Sequence, residues 1–164
     1  LHHRQISPVH IFLSRNIMEF GGATIAFIVV YAALLALGQI DLPKDYLTAY
    51  LGWMLLGWIG MGLGLTMAGL AMRFDVLERV VNLITYILIP LSGAFSMVAW
   101  VPPDLREIYL LMPLPHAVEM LRAGVFGEFV KTYYDPYYGL AWGAGLNILG
   151  LLLIASSRDQ IDVE

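Results

Sequence analysis

The residues with the clearest chemical potential are His116, Glu119 and Arg122. They stand three apart, so on a helix they form one row along one face. An imidazole, a carboxylate and a guanidinium in such a row suit either metal ligation or an internal ion pair. Metal ligation needs more ligands at compatible spacing, and the sequence offers no second motif of that kind. The chain has no cysteine, which excludes thiolate sites and disulfides. The pair Glu119–Arg122, which lets two charges sit partly inside a membrane, is the reading the spacing favours. Ser92 and Ser96 would need a positioned base to act as nucleophiles, and no Gly-x-Ser-x-Gly pattern surrounds them. Trp53, Trp58, Tyr86 and Trp100 have the flat faces that stack on sugar rings, although aromatics in apolar segments more often serve helix packing or the lipid interface.

These residues belong to a stretch, Ile89 to Tyr138, that cannot be one straight span. Pro90, Pro102, Pro103, Pro113 and Pro115 interrupt it. The apolar run from Ile108 to Met112 is far shorter than the ~20 residues a crossing helix needs. Arg106, Glu107, Glu119 and Arg122 flank that run at intervals that a lipid-facing span tolerates poorly. The pattern predicts two short helices that enter the membrane, turn and leave by the same side. Broken backbone at membrane depth survives only when buried in protein or lining a wet cavity.

The rest of the chain supplies the setting. It is 59% hydrophobic and 13% charged, against about 25% charged in a soluble domain. That composition, with its long uncharged runs, predicts an all-α integral membrane protein. The net charge of −4 gives no reason to expect nucleic acid. Spans are expected at about 17–38, 47–72, 80–101 and 136–157, with a re-entrant region at about 92–134. Gly60 and Gly64 form a small-xxx-small match that lets helices approach closely. Arg73 to Arg79 reads as a charged turn between spans. Tyr133, Tyr134, Tyr137 and Tyr138 bracket Asp135-Pro136 as an interfacial belt. Ahead of the first span, Pro8, Val9, Phe12 and Arg15 lie in a mixed-polarity segment that reads as a short amphipathic helix at a surface. The opening residues have the character of mid-loop sequence, so the chain is expected to be part of a longer protein. If both termini are cytoplasmic, Arg4, Arg15, Arg73, Arg79 and Arg158 lie inside. Lys44 and Lys131 then lie outside, along with Arg106 and Arg122 of the re-entrant stretch. Setting those two aside, the positive-inside bias favours inner termini.

The order of several motifs carries a family likeness. Leu91-Ser92-Gly93-Ala94-Phe95 is followed by Val101-Pro102. Then comes Met112-Pro113-Leu114-Pro115-His116-Ala117-Val118-Glu119-Met120-Leu121-Arg122. Together with Phe74 to Arg79 and the last apolar run, this resembles the membrane subunit of polysaccharide-exporting ABC transporters, of the capsular polysaccharide and O-antigen type. Met112 stands where that family usually has Asn, and Pro115 is an added proline.

The resemblance implies four spans of a larger permease with a periplasmic re-entrant helix pair before the last. Residues 1–16 would be a cytoplasmic coupling segment, with Pro8, Val9, Phe12 and Arg15 touching an ATPase. Residues 17–164 would be part of the exporter's transmembrane domain. Ser92, Gly93, Phe95, Pro113, His116, Glu119 and Arg122 would form the channel roof. The implied partners are a second permease copy, two ATPase subunits, a lipid-linked glycan and the bacterial inner membrane. ATP and Mg would bind the ATPase, and no cofactor is expected on this chain, which lacks a Gly-x-x-x-x-Gly-Lys-Ser/Thr loop. An exporter of another lipid or a drug is the alternative, and a membrane-embedded enzyme acting on lipid or glycan is a further one.

Overall fold

The computed structural model describes residues 8–156, and at 8, 75–79 and 82 the backbone alone. The regular structure of these residues is helical throughout. The elements are α1 (Pro8–Ala36), α2 (Tyr46–Ala71), α3 (Asp75–Leu91), α4 (Pro103–Tyr109), α5 (Pro113–Phe126) and α6 (Pro136–Ser156), with 3-10 turns at Val98–Trp100 and Gly127–Phe129. Proline opens α1, α4, α5 and α6, a position where its missing N–H leaves no bond unmade. Among the described residues, three helices are long and apolar enough to cross a membrane: α1 from Val9, α2 and α6.

Helix α2 is the centre of the fold. Asp45 caps it, accepting from the N–H groups of Leu47 at 3.0 Å and Thr48 at 3.2 Å. The Thr48 hydroxyl donates to the other carboxylate oxygen at 2.6 Å. The hydrogen bonds from Thr48, then that from Leu47, hold the Asp45 carboxyl below the usual aspartate range. The buried positions of α2 are Gly52, Leu55, Ile59, Gly62, Leu65, Thr66 and Gly69. Apart from the Leu65–Thr66 doublet their spacing alternates three and four, the seam of a helix that packs along its whole length.

The partner along that seam is α6. A Cβ at Gly62 would lie 2.8 Å from the Leu146 Cβ, and one at Gly150 would lie 2.6 Å from the Leu65 Cβ. Small residues thus set the approach, and polar side chains fasten it. Asn147 donates to the carbonyls of Trp58 at 3.1 Å and Gly143 at 2.8 Å. Thr66 donates to the Leu146 carbonyl at 2.9 Å, and the Trp58 indole to that of Leu140 at 3.2 Å. Leu55 faces Gly139, Gly62 faces Leu146 and Gly69 faces Leu153, so α2 and α6 run parallel. Helix α5 lies antiparallel to α2, with Gly52 against the Leu121 backbone and Gly124 against that of Ala49. Leu55, Ile59, Ala117 and Met120 form the buried cluster there. Helix α1 is antiparallel to α2 and more lightly attached, and most of its apolar surface is open. Trp53 is stacked with Phe27 at 4.6 Å and Phe20 at 5.8 Å, and its indole donates to Thr24 at 3.0 Å.

Several expectations need correction. The third span was expected at 80–101, but α3 starts at Asp75, ends at Leu91 and has 17 residues. That is about 26 Å of helix, short of the ~30 Å hydrocarbon core. Pro90 cannot donate to the preceding turn, and Gly93 turns the chain away with φ +82°. The charged turn is accordingly shorter than expected, because Asp75 to Arg79 already belong to α3. Residues 8–16 are not a separate short helix; they are the first turns of α1, with no break at 16/17. Of the glycine pair, Gly64 meets Asn16 while a Cβ at Gly60 would touch nothing. The close contacts with α5 and α6 belong to Gly52, Gly62 and Gly69 instead. Residues 1–7 of the expected coupling segment, the side chains of Pro8, Glu78 and Arg79, and the tail with Arg158 lie outside the described residues.

Candidate functional site

The row predicted from spacing is present on α5, and its side chains hold the surrounding loops together. Glu119 is fully buried and paired with Arg122, whose side chain is only 12% exposed. A bare carboxylate at such a site is very costly, so its remaining lone pairs must be filled. Backbone fills them. Glu119 Oε1 accepts from the Val98 N–H at 3.3 Å, and Oε2 accepts from the Tyr133 N–H at 3.1 Å. Arg122 donates its other arm to the Gly93 carbonyl at 2.9 Å. One ion pair therefore ties α5 to the exit of α3, to the first 3-10 turn and to the segment leading into α6.

His116, one turn earlier and 5% exposed, ties the other end. Its Nε2 lies 2.7 Å from the Leu110 carbonyl, and its Nδ1 lies 2.8 Å from the Asp135 N–H. Both ring nitrogens are thereby used, which leaves neither free for a metal. Arg106 donates to the Tyr133 hydroxyl at 3.1 Å and to the Val101 carbonyl at 3.1 Å. Its guanidinium also lies 4.4 Å from the Tyr133 ring centre. Among the described residues, the Arg106 Nε and the Tyr109 hydroxyl are buried with no hydrogen-bond partner.

The other predicted residues fall into three places. Pro113 is the first residue of α5. Ser92 caps α3, its hydroxyl donating to the Ile89 carbonyl at 2.7 Å, and Gly93 supplies the turn. Trp53 and Trp58 are engaged in helix packing, on α1 and α6 respectively. Phe95, Tyr86 and Trp100 are instead exposed, at 76%, 73% and 68%. Phe12, Arg15, Ser92 and Phe95 line one open cleft of about 940 Å³ between α1, α2 and α3. Val9 is half-buried near the start of α1. Arg15 pairs with Glu19 at 2.8 Å, and both are exposed in the cleft beside Gly60 and Gly64, near the middle of α2. Charges at that depth suit water or protein and not acyl chains.

Sequence reasoning missed Arg106 and Asp135 as members of the site and assigned Tyr133 and Tyr138 to the interfacial belt. Asp135-Pro136 did carry a readable signal, an N-cap followed by proline at the first helical position. Asp135 indeed caps α6, accepting from Tyr137 at 2.9 Å and Tyr138 at 3.1 Å. The pairing of Arg106 with Tyr133 spans too much sequence for any local pattern to show.

The ABC-2 type transporter family profile matches residues 1–126. Over 162 residues, 99% of the chain, it is 37% identical to a capsule polysaccharide export inner-membrane protein, CtrC, of Neisseria meningitidis serogroup B. It is 32% identical over the same length to the capsule polysaccharide export inner-membrane protein BexB of Haemophilus influenzae. The chain spans 61% of the length of each of these relatives. With a family match over most of its residues and a helical fold carrying three helices able to span a membrane, the chain belongs to the ABC-2 type transporters.

Proposed function

We propose that this chain is part of the permease subunit of an ATP-driven exporter that moves a lipid-linked polysaccharide across the bacterial inner membrane. The observation that carries this reading is similarity along nearly the whole chain to proteins named for capsule polysaccharide export at the inner membrane. ATP hydrolysis falls to separate ATPase subunits, and two permease copies enclose the path. The first turns of α1, with Val9 and Phe12, are the coupling surface, and Arg15 lies deeper, in the cleft beside Gly60 and Gly64.

The fold supports a fourth crossing and a re-entrant pair. Parallel packing of α2 and α6 requires the chain between them to return to its starting side. Helix α3 leaves the end of α2, and its exit at Gly93 reaches α5, which lies against the first half of α2. On this reading α3 is the short third crossing. Helices α4 and α5 are then the re-entrant pair, with α5 climbing back toward the start of α2. The Glu119–Arg122 pair is what allows charge at that depth. The exposed faces of Tyr86, Phe95 and Trp100 are the ones free to meet sugar rings.

The test is to delete the full-length gene from the source bacterium and follow surface glycan. Wild-type protein is expected to restore it, while Glu119→Ala restores much less yet still copurifies with the ATPase. Normal surface glycan in the deletion strain, or drug efflux lost in its place, refutes the substrate assignment.

A further inference from the structure

We propose that His116 and Tyr138 form a clamp that fixes the α4–α5 turn on the start of α6, and that His116 does so as one neutral tautomer with its proton on Nε2. The assignment follows from its two partners. The Asp135 backbone N–H can only donate, so Nδ1 at 2.8 Å must accept and carries no proton. The Leu110 carbonyl can only accept, so Nε2 at 2.7 Å must donate. The other tautomer loses both bonds, and a doubly protonated ring sets N–H against N–H.

Tyr138 completes the grip. Its ring lies 4.9 Å from that of His116, and its hydroxyl donates to the Leu111 carbonyl at 2.8 Å. Two rings from two helices thus hold consecutive carbonyls, Leu110 and Leu111, in one turn. Asp135 joins the assembly twice, through its N–H to His116 and through its carboxylate to the first turn of α6. Asp135 meets the imidazole through its N–H and Tyr138 through its ring, and Glu119 with Arg122 follows on the same helix. Helices α4 and α5 cannot shift against α6 without opening these bonds. Resting on the export reading above, His116 is therefore a positioning residue for transport.

The test uses the full-length protein in lipid bilayers with nitrogen-15 in its histidines. Spectra are taken at about pH 8.5, well above the ordinary imidazole value of ~6.5. The chain has four histidines, so the His116 signal is assigned by its loss in His116→Asn. The expected spectrum shows a single tautomer with Nε2 protonated and Nδ1 bare. A mixture of tautomers, or a proton on Nδ1, overturns the clamp. In cells, His116→Ala should lower export at least tenfold with ATPase copurification unchanged. His116→Asn, which can still accept from Asp135, and His116→Gln, which can still donate toward Leu110, should each recover part of it. Full export by His116→Ala removes the positioning role. If the wild-type protein exports no polysaccharide, the reading above fails while the spectrum still decides the clamp.

Discussion

Replacing Glu119 by alanine should cost the folded protein about 3–5 kcal/mol, the range for breaking one side of a buried ion pair. The figure follows from what remains. Arg122 keeps its charge with a side chain only 12% exposed, and the N–H groups of Val98 and Tyr133 lose their acceptor. Glu119→Gln preserves the volume and one acceptor oxygen, so its loss should be nearer the ~1.5–3 kcal/mol of a charge-assisted hydrogen bond. Removing both charges together, in Glu119→Leu with Arg122→Leu, should cost less than the two single changes added, with a coupling of about 0.5–3 kcal/mol. Unfolding of the full-length protein in mixed micelles, titrated with a denaturing detergent, gives each cost, with the two leucine singles measured beside the double for the coupling. The reasoning is refuted if Glu119→Ala costs under about 1 kcal/mol, or if the double variant equals the sum of the singles.

Gly124→Val should destabilise by at least about 2 kcal/mol, because a side chain there meets the Ala49 backbone; the same detergent titration checks it. Asp45 predicts an acid-side effect. Its carboxyl is held low, so its contribution is complete above the ordinary aspartate value of about 3.9 and disappears as pH falls through its own lower value. Asp45→Asn keeps an acceptor and removes the titration, so its melting temperature should fall less than that of wild type on acidification, and parallel curves would refute this. Trp100→Ala should reduce export with no change in melting temperature, whereas Trp53→Ala should lower the melting temperature, since only Trp53 is stacked between rings of α1.

The sequence was most legible where one physical rule acts alone. Uncharged runs after Phe20, Tyr46 and Pro136 located three membrane-length helices, because lipid tolerates little else. The spacing of Glu119 and Arg122 was enough to expect their pair, since a helix turn fixes both positions. Legibility ended where helices meet. Gly60 and Gly64 match a local motif, but which glycines face α5 and α6 depends on where those helices lie. The end of α3 was placed too late because uncharged sequence continues past Leu91 while Pro90 and Gly93 already stop the helix. Trp53 and Trp58 look identical to Trp100 in sequence, and only packing separates the engaged from the exposed. Apart from Arg122, the partners of His116 and Glu119 are backbone groups, which no local spacing rule reveals.

Cysteine accessibility tests the central claim, the return of the chain between α2 and α6, most directly. These 164 residues contain no cysteine, so only a thiol elsewhere in the full-length protein would need replacing first. Single cysteines at Asp41, Asp104, Tyr134 and Arg73 of the full-length protein would be labelled in intact cells with an impermeant thiol reagent. The account predicts labelling at Asp41, Asp104 and Tyr134 from outside, and at Arg73 only after permeabilisation. Labelling of Asp104 and Tyr134 from opposite sides of the membrane would contradict it.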